Sequence, residues 1–326
     1  MLKGHHFLSI ADLSADELRQ VLDTAEQLKA DWRSGRRERH LAGKTLGMIF
    51  QKPSLRTRVS FEVGMIQLGG QALYLSPAEV QMGERESVPD VAHVLSRFVD
   101  CIMARVFRHG DLEELAANAS VPVINGLSDL SHPCQALADL LTIREKKGRL
   151  QGLRLAFIGD GDNNVAHSLL LGTAKLGMDF AVASPAGYTP SDRYLSRSSA
   201  DAAASGSHIE VFADPYEAVA GADVIYTDVW TSMGQEAEVQ RRLAAFQPYQ
   251  VNEALVQAAK PDVIVMHDLP AHRGEEITAA VIDGPHSVVF DQAENRLHAQ
   301  KAVLYLILAD SGGKRGTSVG RAEENL

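Results

Sequence analysis

Lys52, Ser54, Arg56, Thr57 and Arg58 crowd one short stretch of the chain, FQKPSLRTRVSFE, which runs from Phe50 to Glu62. The stretch lies where an apolar run, Thr45 to Phe50, gives way to a helical pattern with Val59, Val63, Ile66 and Leu68 on or near one face. Hydroxyls, guanidinium groups and the free N–H groups of a first helical turn therefore meet at one point, an arrangement that suits a phosphate. An ordinary capped helix with a solvated basic turn has the same residue types, so the motif alone leaves both readings open.

Four further clusters fall where strands give way to loops, the ligand edge of an open α/β sheet. Arg105 ends an apolar run; its plain reading is a surface ion-pair partner. His132 and Gln135 flank a helix start and could polarise a carbonyl through hydrogen bonds, with Cys134 between them as a packed residue rather than a nucleophile. Gly159-Asp160-Gly161-Asp162-Asn163-Asn164 follows a strand as a dinucleotide fingerprint would. However, Asn164 stands where the third glycine should be, and the next strand ends in Ala183-Ser184 rather than an acid, so the asparagines read as polar hooks for a small substrate. Asp228 leaves a strand ahead of Thr231-Ser232-Met233-Gly234 and could hold an ammonium group. His267-Asp268-Leu269-Pro270-Ala271-His272-Arg273-Gly274-Glu275-Glu276 follows another strand. As a metal site it is weak, because a five-residue histidine spacing across a proline is not a helical pair.

The elements that position these groups alternate. Ser14 and Glu17 form a capping box for a packing helix with Leu18, Val21, Leu22, Ala25 and Leu28 on one stripe. Strands at Thr45 to Phe50, Ala72 to Leu75, Cys101 to Val106 and Val121 to Ile124, with helices between, predict a four-stranded parallel sheet. Between Ser76 and Ser87 a polar loop is long enough to be a lid, an intersubunit arm or a solvated connection. A long amphipathic helix opened by Pro133 and closed at Gly148 links the halves. The second half again reads β/α, with strands at Leu153 to Ile158 and near Phe180 to Ala183, Ile209 to Phe212, Val224 to Tyr226, Val263 to Met266 and Val288 to Phe290. A last helix, Ala293 to Ala309, ends in a polar tail expected to fray.

Composition bounds the rest. The 326 residues suit two domains; 45% are hydrophobic, 23% are charged, and the formal net charge is −10. That balance argues against a general nucleic-acid binder, so clustered arginines are expected to serve a small anion. No apolar run approaches a membrane span, and the start MLKGHHFLSI lacks the apolar core of a signal peptide, so cytoplasm is the expected compartment. Cys101 and Cys134 make no metal-spaced pair.

Taken together, Phe50 to Glu62, Met103-Ala104-Arg105, His132 to Asp139, Asp228 to Gly234 and His267 to Glu276 resemble the aspartate/ornithine carbamoyltransferase family, in the family's order. The resemblance implies two doubly wound α/β domains, each on a parallel sheet, joined by interdomain helices. Residues 1–135, completed by a C-terminal helix at 293–310, would bind carbamoyl phosphate; residues 136–292 would bind the amino acid L-ornithine; 311–326 would be a flexible tail. It further implies a homotrimer or higher multiple with active sites between subunits, and no metal or organic cofactor.

Carried onto matching positions, Ser54, Arg56 and Thr57 with the Leu55 backbone would hold the phosphate. Arg105, His132 and Gln135 would hold phosphate and carbamoyl oxygens, and Gln81 and Arg296 would add carbamoyl phosphate contacts. Asn164, Asp228, Ser232 and Met233 match ornithine-binding positions, with Leu269 beside Asp268 as a further substrate contact. The resemblance assigns catalysis to Arg56, Arg105, His132, Asp228 and Asp268. Two departures stand out: Leu55 replaces a threonine of the family's cradle, and Asp268 replaces the cysteine of a His-Cys-Leu-Pro motif. The second leaves two alternatives beside ornithine carbamoylation, a different amine acceptor or a weakly active carbamoyltransferase-like binding or regulatory subunit.

Overall fold

The computed structural model describes residues 2–231 and 238–309. In the first half β1 (Thr45–Phe50), β2 (Gln71–Leu75), β3 (Cys101–Arg105) and β4 (Val123–Leu127) form one parallel sheet in the order β2-β1-β3-β4. Strands β1, β3 and β4 are nearly continuous buried runs, as strands covered on both faces must be. In the second half β5 (Arg154–Ile158), β6 (Asp179–Ala183), β7 (Ile209–Phe212), β8 (Val224–Thr227) and β9 (Ile264–Met266) form a parallel sheet ordered β7-β6-β5-β8-β9.

The sequence suggests a sixth strand at Val288 to Phe290, and the structure corrects this. Residues 286–288 touch β9 through one bridge, with Val265 N donating to His286 O (2.8 Å) and Val288 N to Val265 O (3.0 Å). The chain then turns into a helix at Val289, where Val288 and Val289 are buried in two different core clusters. Tertiary packing here overrides β-propensity.

In each sheet the strand order reverses once, between β1 and β3 and between β5 and β8. Such switch points open a crevice beyond the strand C-termini. At these edges Arg56 lies in the first turn of the helix after β1, Arg105 ends β3, Asn164 opens the helix after β5, and Asp228 directly follows β8. A register shift between Ala104 and Arg105 against β4 re-aims Arg105. Gly126 permits the close strand contact: a Cβ there would lie 2.5 Å from Met103 Sδ and 3.2 Å from Ala104 O.

Packed helices tie the halves together. α6 (Pro133–Lys147) is buried on every face from Pro133 to Ile143, where the sequence pattern suggested an amphipathic helix. α13 (Val289–Leu308) packs against α1 (Ala15–Arg33), α2 (Leu55–Gln67) and α6. One hydrophobic cluster therefore takes in Leu46 and Met103 from the first sheet, Leu155 and Tyr226 from the second, and Leu140 and Val303 from the helices. Lys29 adds a polar tie, reaching Glu145 Oε1 and Asn295 Oδ1 at 2.7 Å each.

Between Ser76 and Ser87 the expected loop contains a short helix, α3 (Pro77–Val80), and buries Met82. Among the described residues no helix is long and apolar enough to cross a membrane.

Candidate active site

The two switch-point crevices face each other across a cleft of about 530 Å³. On its first wall, Ser54 caps α2: its Oγ accepts the Thr57 N–H (3.4 Å) and donates to Thr57 Oγ1 (3.2 Å). The Leu55 side chain points to solvent at 76% exposure, so what this residue offers the cleft is its backbone. Arg56 donates from Nη2 to Leu269 O and so reaches across to the second half. Arg296, buried on α13, donates to Gln135 Oε1 (2.7 Å) and Thr57 Oγ1 (3.2 Å). With Arg105 and Lys52 these side chains make one wall of the cleft cationic. Burial, then Arg296, then Arg56 bring the Arg105 pKa down to about 10 despite the attraction of Asp268. Like charges held this close, partly out of water, are what an anion would relieve.

His132 precedes α6 and is 3% exposed, with Nδ1 buried and without a hydrogen-bond partner. Burial, followed by Arg296 and Arg105, drives its pKa well below the usual imidazole value. A neutral ring of this kind keeps one N–H with which it can hydrogen-bond a carbonyl oxygen. Its backbone N–H donates to Ser168 Oγ (2.9 Å), which in turn donates to Asn164 O (2.7 Å), so the two halves meet beside the ring. Cys134 is fully buried and its thiol is pushed up to about 12 by burial, so it is no nucleophile.

The opposite wall is acidic and polar. Asp228 accepts the Val229 N–H (2.7 Å) and Asn163 Nδ2 (3.1 Å), while Asn163 also caps α7 (Asn164–Leu176) through Ala166 N (2.7 Å). Ligand atoms of Asp228, His267 and Asp268 all lie within 4.8 Å of one another. Burial first, and then the neighbouring Asp268 carboxylate, pushes the Asp228 pKa well above the carboxylate range. Two carboxyl groups this close resist ionising together, and their oxygens offer acceptors to one ammonium group. Behind them, His267 lies between Glu276 Oε1 (3.0 Å from Nε2) and the Leu269 N–H (2.9 Å from Nδ1).

A family model for the aspartate/ornithine carbamoyltransferase carbamoyl-P binding domain matches residues 5–145, and one for the Asp/Orn binding domain matches residues 151–307. The chain belongs to the aspartate/ornithine carbamoyltransferase family. Within that family it is 59% identical to the ornithine carbamoyltransferase of Anoxybacillus flavithermus, over 94% of this chain and 98% of the relative. The Thermococcus kodakarensis enzyme of the same name matches at 59% over 94% and 97%. The solved ornithine carbamoyltransferase of Pyrococcus furiosus superposes with a TM-score of 0.91 at 57% identity, covering 94% of this chain and 98% of that one.

Of the carbamoyltransferase positions named from sequence, Ser54, Leu55, Arg56, Thr57, Arg105, His132, Asn164, Asp228, Asp268, Leu269 and Arg296 all line the cleft. Gln135 reaches it through Arg296. Gln81 does not belong to this chain's own cleft: it is exposed, in a left-handed conformation (φ 45°) at the end of α3. Ser232 and Met233 lie outside the described residues. From sequence Asn163 is read with Asn164 as a polar hook for a small substrate; it lines the cleft and also caps α7, a role signalled by its place one residue before a helical pattern.

Proposed function

We propose that this chain transfers the carbamoyl group of carbamoyl phosphate to the δ-amine of L-ornithine, giving L-citrulline and phosphate. The observation that carries the reading is the opposition, across one cleft, of Arg56, Arg105 and Arg296 to the Asp228–Asp268 pair. The relatives named above are ornithine carbamoyltransferases along nearly their whole length, which favours this reading over another amine or a regulatory subunit.

In the proposed reaction Ser54, Thr57, Arg56 and the Leu55 backbone hold the phosphate, while Arg105 and Arg296, the latter set in place by Gln135, hold the remaining oxygens. The δ-amine attacks the carbonyl carbon, and negative charge develops on the carbonyl oxygen. His132 and the guanidinium groups stabilise that charge. The C–O bond to phosphate then breaks, and phosphate leaves with the electron pair. Before attack the δ-ammonium must lose a proton, which is costly for an amine that titrates near about 10.4. Asp228 and Asp268 orient the ammonium and assist that loss, and the departing phosphate is the final acceptor. Asn164, Leu269, Ser232 and Met233 bind the rest of ornithine.

In this reading residues 1–135 with the C-terminal helix form the carbamoyl phosphate domain, and 136–292 the ornithine domain. The enzyme works in the cytoplasm as a homotrimer or a multiple of it. Gln81, turned away from its own cleft, completes the site of the next subunit.

Steady-state formation of citrulline from ornithine and carbamoyl phosphate, set beside a panel of other primary amines, tests the reaction. Turnover with ornithine at the highest kcat/KM is expected. Turnover only with another amine, or tight binding of a phosphonate analogue without turnover, would overturn it.

A further inference from the structure

Asp139 sits one helical turn beyond Gln135 on α6, is wholly buried, and does not line the cleft. Its Oδ1 accepts Nε2 of Gln135 (2.8 Å) and Nε2 of Gln292 (2.8 Å), and its Oδ2 accepts the Tyr226 hydroxyl (3.2 Å). Each glutamine is thereby held in one sense. Gln135, with its nitrogen on a carboxylate, turns Oε1 to Arg296 Nη1 (2.7 Å). Gln292, with its nitrogen on the same carboxylate and on Tyr226 Oη (3.0 Å), turns Oε1 to the His267 N–H (3.0 Å). A side-chain amide between an acceptor-only carboxylate and a pure donor has a single satisfied orientation. The chain of bonds thus runs without a break from Thr57 and Arg296 on the cationic wall, through Asp139, to the backbone next to Asp268 on the acidic wall. A buried carboxylate held without a cation in direct contact is costly to keep for stability alone.

We infer that Asp139 is a positioning residue that fixes the polarity of Gln135 and Gln292 together and so aligns the carbamoyl phosphate and amine sides of the cleft with each other. The inference rests on the function proposed above. It is supported by the burial of Asp139, which pushes its pKa up to about 7 against the pull of its three hydrogen-bond donors. The charged and titratable groups that face it are Asp268 after β9, Tyr226 on β8 and Arg296 on α13.

Three variants test it in the citrulline assay. Asp139→Leu leaves both amides free to turn, and KM for carbamoyl phosphate and for ornithine should both rise, each by roughly tenfold, as expected for lost hydrogen bonds to charged groups. Asp139→Asn can keep an oxygen toward both glutamines and a nitrogen toward Tyr226 Oη. It should hold both KM values within about threefold while removing an inflection near pH 7 from kcat/KM. Gln292→Leu, on the amine side of the chain of bonds, should raise KM for carbamoyl phosphate as well as for ornithine, and remains informative if Asp139→Leu fails to fold. Unchanged KM values in Gln292→Leu, or an inflection that survives in Asp139→Asn, would overturn the role of Asp139. Absence of turnover in the wild type would instead overturn the proposed function.

Discussion

At position 268 the cleft carries a carboxylate where the family resemblance leads one to expect a thiol, and in the proposed reaction this residue faces the acceptor amine. Burial, and then the Asp268 carboxylate, raise the proton affinity of Asp228, and in the proposed reaction the pair receives the ammonium form of the amine. In Asp268→Cys that repulsion disappears and the Asp228 pKa falls. The inflection that Asp228 contributes to the pH profile of turnover should move to lower pH, while the dissociation constant of a phosphonate analogue stays unchanged. An unaltered profile would show that residue 268 does not face the amine. Most cleft residues were legible from sequence because each sits at a strand exit within its own short motif. Asp139, Gln292 and Tyr226 were not, since Gln292 meets Asp139 across 153 residues of chain and each alone resembles an ordinary core or helix residue.

Among the elements, β3 and β4 set the aim of Arg105, and they can lie as they do because residue 126 has no side chain. Gly126→Ala would drive a methyl group against Met103 Sδ and the Ala104 carbonyl. The expected outcome is a loss of about 1–3 kcal/mol of stability, seen as a lower urea midpoint, together with a larger rise in KM for carbamoyl phosphate than for ornithine. Equal effects on both substrates would disconnect the strand contact from Arg105. The alternation of strands and helices was legible because apolar runs and helical stripes are local patterns. The segment at 286–290 misled because Val288, Val289 and Phe290 have strand character, whereas packing against two core clusters turns the chain into α13. Gln81 could be named from its motif, but its place outside the chain's own cleft could not.

Across the whole molecule, the buried acids Asp139 and Asp228 contribute to the response to pH. Asp139, with a folded pKa near 7 against an ordinary 3.8, favours the folded state while both states are protonated, and this stability is lost as pH rises through about 7. Asp228 acts in the same direction. The unfolding free energy of the wild type minus that of Asp139→Asn should therefore decline between about pH 4 and pH 7 and level off above; a flat difference in urea titrations would place Asp139 in water. The assembly makes its own prediction. If Gln81 serves a neighbouring subunit, mixing and reassembling inactive Gln81→Ala and Arg56→Ala chains should restore part of the citrulline activity, because some sites then draw both intact residues from different chains; no recovery would place both residues in one subunit's site. The central claim, that the first half grips an acyl phosphate which the second half supplies with an amine, is tested most directly by the dissociation constant of a non-hydrolysable carbamoyl phosphate analogue in the wild type and in Arg56→Ala. The account predicts weakening by roughly 100-fold on loss of a guanidinium that would hold the phosphate through charge-assisted hydrogen bonds, whereas equal affinity in the two proteins would contradict it.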